Sequence, residues 1–141
     1  MKKQIAFEWM KASYSDLILI GEIIDNNFLT HMVAFHSQQS LEKSFKAILE
    51  YHNEKVPKKH DLLLLKSKIE DYIQIDDENI LEDLNELYIE SRYPGELGLL
   101  PSGKPSSIKA EEFFDFTQDI FNKICIILKI EKSSMQRDTK C

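Results

Sequence analysis

Between residues 35 and 49 the chain reads FHSQQSLEKSFKAIL, and four side chains with donor chemistry recur there at helical spacing: His36, Gln39, Lys43 and Lys46. Wound into a helix they share one polar arc, with Glu42 at its edge. An imidazole can give or take a proton near neutral pH, and ammonium groups pair with phosphate. Two further residues carry polarity onto faces that otherwise read as apolar, Asp16 in the first helical pattern and Gln38 in the second. A buried carboxylate needs a cation or several donors, and a buried amide needs partners. Arg92, one helical turn after Tyr88, is the cation type that suits Asp16. Two readings stay open. Either these residues form a buried structural network, or Arg92, His36 and Lys43 line a cleft for a phosphate or nucleotide, where a guanidinium fork donates to two oxygens at once. The plainer alternatives stand beside the second reading. Glu42 and Lys46 are an i,i+4 pair, and a polar arc is commonly a solvated face. Tyr88 reads as a core aromatic, Tyr93 as a rim residue and His60 as a helix start.

Other chemistries find no motif. The four histidines, His31, His36, His52 and His60, form no HExxH and no Glu-x-x-His pair, and there is no CxxC, so no metal or other cofactor is expected. GLLPSGK at 98–104 ends in Lys but lacks the preceding strand and is followed by Pro105 rather than a hydroxyl, so it reads as a loop. No Gly-x-Ser-x-Gly elbow occurs. A net charge of −6 argues against broad coating of DNA, so any nucleotide or RNA site must be local. Of the two cysteines, Cys125 lies in the apolar run ICIIL and reads as a buried small hydrophobe, and Cys141 ends a polar tail. This usage fits a reducing, cytoplasmic compartment. The longest apolar run, Leu17 to Ile24, is too short for a membrane span.

The elements that would position these side chains are helices throughout. Gly and Pro are scarce, four each, and the hydrophobic share of 43% over 141 residues suits one domain with its own core. The periodicity predicts helices over 2–27, 28–53, 60–74, 77–92 and 108–130. On the first, Ile5, Trp9, Ala12, Leu17, Ile20, Ile23 and Ile24 fall on one face. Within 28–53, Ser37, Ser40, Ser44 and Ala47 form a small-residue arc that would let another helix come close. Asn53, Asp61 or His60, and Ser106 or Ser107 are the natural helix boundaries. The expected architecture is an all-α, antiparallel up-and-down bundle of about five helices over 1–130, followed by a polar, disordered tail at 131–141.

These stretches in combination resemble the HEPN domain family (higher eukaryotes and prokaryotes nucleotide-binding). The resemblance rests on Phe35-His36, Gln38-Gln39, Glu42-Lys43, Lys46-Ala47, His60-Asp61-Leu62 and Arg92-Tyr93-Pro94, with Trp9, Ala12 and Asp16-Leu17 upstream. It spans roughly residues 5–130. It implies a helical bundle that commonly forms homodimers, often paired with a minimal nucleotidyltransferase in a toxin–antitoxin-like system. Many relatives are ribonucleases with an Arg followed four to six residues later by His. Here Arg92 is followed by Tyr93-Pro94-Gly95-Glu96-Leu97-Gly98, and no His follows His60. The Arg-Tyr-Pro form resembles a branch that binds nucleotides or nucleic acid. The expectation is therefore nucleotide or RNA-phosphate binding through Arg92, His36, Lys43, Gln39, Lys46, Tyr93 and His60, with Asp16 and Gln38 in a buried network. Two alternatives remain: a metal-independent ribonuclease using His36 or His60 with Arg92, and a non-catalytic homodimeric interaction module.

Overall fold

A computed structural model of the chain describes residues 2–90 and 104–136. Among these the helices are α1 (Lys2–Ile23), α2 (Thr30–Tyr51), α3 (Leu62–Lys68), α4 (Glu78–Glu90), α5 (Ser107–Leu128) and α6 (Lys132–Met135). One turn of 3-10 helix at Asn27–Leu29 leads into α2, and no strand occurs among the described residues. The fold is the expected all-helical bundle.

The central helix is α2, which packs against α1, α3, α4 and α5. Its apolar arc buries Leu41, Phe45, Ile48 and Leu49, and its small-residue arc buries Ser37, Ser40, Ser44 and Ala47. The small arc does what small residues allow. Ser13 Oγ of α1 donates to the Ser40 carbonyl at 2.8 Å, and Ser40 Oγ donates to the Ser13 carbonyl at 3.1 Å. Side chains this short reach the opposite backbone only where two helix axes lie close. Phe113 and Phe121 of α5, with Leu65 of α3 and Leu81 of α4, complete the core around Phe45.

This close contact also shifts the buried face of α1 part of the way round from the one expected, towards Ala6, Met10 and Ser13. The buried residues are Ala6, Met10, Ser13, Asp16, Leu17 and Ile20; of the expected face, Leu17 and Ile20 are among them, Trp9, Ile23 and Ile24 pack against the core partly buried, and Ile5 is 37% exposed. Apolar size suggested the stripe through Ile5 and Trp9, but the closest approach needs Ser13 and Ala6 at the interface.

Helix boundaries follow local chemistry. Asn26 is extended, and its side chain accepts from Phe28 N at 3.0 Å. Asn53, at φ 59°, ends the turn after α2 in the left-handed conformation that Asn tolerates. Asp61 caps α3 by accepting from Leu63 N and Leu64 N, and Ser106 caps α5 by accepting from Lys109 N. The third helix is shorter than predicted: Ile69, Ile73 and Ile75 are buried from a non-helical segment. Part of the segment expected as a tail is ordered. Lys132–Met135 form a helical turn and Met135 is buried, which anchors the chain beyond Ile130.

Candidate functional site

Asp16 lies one turn beyond Ser13 on α1, so the Ser13–Ser40 contact delivers its carboxylate to α2. There it meets the residues one turn to either side of Ser40. His36 Nδ1 lies 2.9 Å from Asp16 Oδ1, and Lys43 Nζ lies 2.8 Å from Asp16 Oδ2. The carboxylate is nearly buried, and one cation and one imidazole occupy its two oxygens. That is the compensation a buried charge requires. Among the described residues the partners of Asp16 are both on α2; Arg92, the cation the sequence suggested for it, lies outside those residues.

A second carboxylate is held at the other edge of the polar arc. Glu42 Oε2 pairs with Lys46 Nζ at 2.8 Å, and His60 Nδ1 lies 3.0 Å from Oε1 and 3.1 Å from Oε2. Gln38 Nε2 donates to Glu42 Oε1 at 3.2 Å and to the His60 carbonyl at 2.9 Å. Gln39 Nε2 in turn donates to Gln38 Oε1 at 2.7 Å. The amide of Gln38 thus ties α2 to the loop before α3 and sets His60 against Glu42. The polar arc is not a solvated face: Glu42 and Lys46 are each only 6% exposed, and the Lys46 ammonium sits over the Trp9 ring at 5.7 Å.

A carboxylate can only accept, so in each pair Nδ1 carries the hydrogen and Nε2 becomes the nitrogen able to exchange a proton or meet a ligand. The His60 side chain is half exposed, and that of His36 is 17% exposed. Aromatic rings bridge the two pairs. Tyr88 of α4 stacks on Phe35 at 5.9 Å between centroids and meets His60 at 5.2 Å, while Phe35 meets His36 edge-on at 5.2 Å. Carboxylate-backed imidazoles, ammonium groups and ring faces are together on one side of the bundle.

Of the residues singled out from the sequence, His36 and Lys43 join Asp16, and Gln39, Lys46 and His60 join the cluster around Glu42 and Gln38. Arg92 and Tyr93 lie outside the described residues. Sequence reasoning underrated Glu42, which is the hub of its cluster rather than an i,i+4 partner alone, and it read Tyr88 only as core. The signal for Glu42 was available in the strict four-residue repeat Gln38, Glu42, Lys46. No local signal announces that the rings of Phe35, Tyr88 and His60 meet.

Elsewhere, Cys125 is buried and its thiol is pushed up to about 11 by burial, so it is a packing residue and not a nucleophile. His31 is held below the usual imidazole range, first by burial and then by the nearby Lys104 ammonium. Among the described residues no group of three His, Cys, Asp or Glu side chains could hold a metal ion, and no helix is long and apolar enough to cross a membrane.

Compared with curated proteins and with solved structures, the chain has no match. The family model of the HEPN domain matches residues 6–128, which takes in α1 through α5 and both carboxylate–histidine pairs. The chain belongs to the HEPN domain family.

Proposed function

We propose that this protein binds the phosphate of a nucleotide or of RNA on the face that carries His36, Lys43 and His60. Membership of the HEPN family supports a nucleotide- or RNA-related, or nuclease-like, role at family level. The observation that carries the finer reading is the pair of buried carboxylates, each holding one histidine by Nδ1. Lys43, a quarter exposed, keeps ammonium hydrogens beyond the one it gives to Asp16. The stacked rings of Phe35 and Tyr88 stand beside both histidines and add an aromatic wall to this face. Arg92, two residues past the end of α4 in sequence, is the guanidinium this reading adds. In the cell we place the protein in the cytoplasm, as a homodimer working with a minimal nucleotidyltransferase in a toxin–antitoxin-like pair.

Titration of AMP, ATP and a short RNA oligonucleotide against the wild type, His36→Ala and Arg92→Ala tests the reading. The expected result is binding by the wild type that each substitution weakens. Equal affinities in all three proteins, or no binding by any, refute it.

The same two pairs favour a second reading, metal-independent RNA cleavage. One imidazole Nε2 takes the proton of a ribose 2′-hydroxyl, and the 2′ oxygen attacks phosphorus. The P–O bond to the 5′ oxygen breaks, and that oxygen leaves with a proton from the other imidazole. Cleavage of RNA in the presence of a chelator, lost in both His36→Ala and His60→Ala, is the outcome this reading requires. Intact RNA with the wild type excludes it. A non-catalytic interaction module would instead lose stability in such variants with no change in ligand affinity.

A further inference from the structure

Away from the histidine pairs, the first turns of α1, the end of α2 and the end of α5 enclose a cleft of about 410 Å³. That volume is within the ~300–1,000 Å³ typical of small-molecule sites. Its walls are Phe7, Tyr51, Leu128 and Ile130, and its cations are Lys3 and Lys129; no carboxylate lines it among the described residues. The chain carries a net charge of −6, yet the charged groups lining this cleft are both cations. The nearby carboxylate of Glu50 is engaged by Lys2 at 3.7 Å. The Lys3 ammonium lies 5.9 Å from the centre of the Tyr51 ring, so cation and aromatic wall are adjacent.

The backbone at Lys129 bears on the same cleft. The turn that closes α5 bonds Ile130 N to the Cys125 carbonyl at 2.9 Å and Lys129 N to the Ile126 carbonyl at 3.2 Å. This turn needs a left-handed residue, and glycine provides that without strain. Here the position holds Lys129, at φ 57° and ψ 46°. A lysine there carries left-handed strain, offset in part by the attraction of its ammonium to the negative end of the helix dipole. Lys129 is also one of the residues that line the cleft.

From the aromatic and aliphatic walls and the paired cations, we propose that this cleft is a second binding site, for a small aromatic carboxylate. The ring of the ligand lies among Phe7, Tyr51, Leu128 and Ile130, and its carboxylate is met by Lys3 and Lys129. The site is independent of the phosphate-binding reading, because it shares no residue with it.

The probe is 2-naphthoate, titrated into the full chain and followed by amide and side-chain NMR, with Lys3→Gln and Lys129→Gly as variants. One-to-one binding is expected, with shifts centred on Phe7, Tyr51, Leu128 and Ile130 and not on His36 or His60. Each substitution weakens it about tenfold, the scale of one hydrogen bond to a charged group. Lys129→Gly also raises the thermal midpoint by relieving the left-handed strain, so its loss of binding cannot be ascribed to misfolding. The proposal is overturned if naphthoate leaves the cleft resonances unmoved, or if both variants bind like the wild type. It is equally overturned if neutral 2-naphthamide matches naphthoate, or if octanoate binds more tightly than the aromatic acid.

Discussion

Replacing Glu42 with Gln tests most directly whether the cluster on α2 is a buried ion pair or a surface one. The substitution keeps the shape of the side chain and removes its charge. What remains is the Lys46 ammonium, whose side chain is 7% exposed and whose only ion-pair partner among the described residues is Glu42. The Trp9 ring at 5.7 Å compensates it only in part. Removing one partner of a buried pair costs about 3–5 kcal/mol. In urea, with a slope of about 2 kcal/mol per molar, that lowers the unfolding midpoint by roughly 1.5–2.5 M. Lys46→Met provides the control. Alone it strands the Glu42 carboxylate, which retains Gln38 and His60 as donors, so it costs less. Combined with Glu42→Gln it removes both charges, and the double variant should be more stable than Glu42→Gln alone. If Glu42→Gln costs under about 1 kcal/mol, or if the two effects simply add, the cluster is solvated and the reasoning from its burial fails.

Three further outcomes follow from particular contacts. Asp61→Ala removes the acceptor of Leu63 N and Leu64 N and the partner of Asn85 Nδ2, and should cost about 1–2 kcal/mol in urea unfolding. The fold holds His31 below its ordinary 6.5, so below about pH 6.5 the unfolded chain takes up a proton that the folded chain does not. Stability is therefore present above that value and is lost as pH falls through it, and the difference between urea midpoints at pH 7.5 and 5.5 should shrink in His31→Leu. In a Cys141→Ser background, Cys125 with its thiol near 11 rather than 9.0 should react with iodoacetamide at pH 8 at least about a hundredfold more slowly in the folded protein than in urea.

Much of this arrangement was legible because it is local. The polar arc of α2, the misplaced polarity of Asp16 and Gln38, and the caps at Asp61 and Ser106 follow from spacing within one helix or one turn. The shift in the buried face of α1 was not legible, because it is decided between helices. Large apolar side chains suggest one face, and the Ser13–Ser40 approach moves it part of the way round. The role of Glu42 required His60, eighteen residues away across a loop whose conformation is held by Gln38. The left-handed Lys129 carried no signal at all, since a glycine would have been the readable choice.

The pairing of Asp16 bears on the meaning of Arg92. From sequence, Arg92 had two possible reasons to exist, as the structural counter-ion of Asp16 or as a ligand for phosphate. Asp16 takes Lys43 on one oxygen and His36 on the other, so its charge is already compensated within α1 and α2. Among the described residues Asp16 thus has its counter-charge without a guanidinium, and the part Arg92 plays is a question for substitution. Loss of Asp16 should accordingly lower stability, by freeing Lys43 and His36 from the carboxylate that holds them. On the proposed reading, loss of Arg92 should show in binding, where the carboxylate-backed histidines and the exposed part of Lys43 define what a phosphate-bearing ligand would meet.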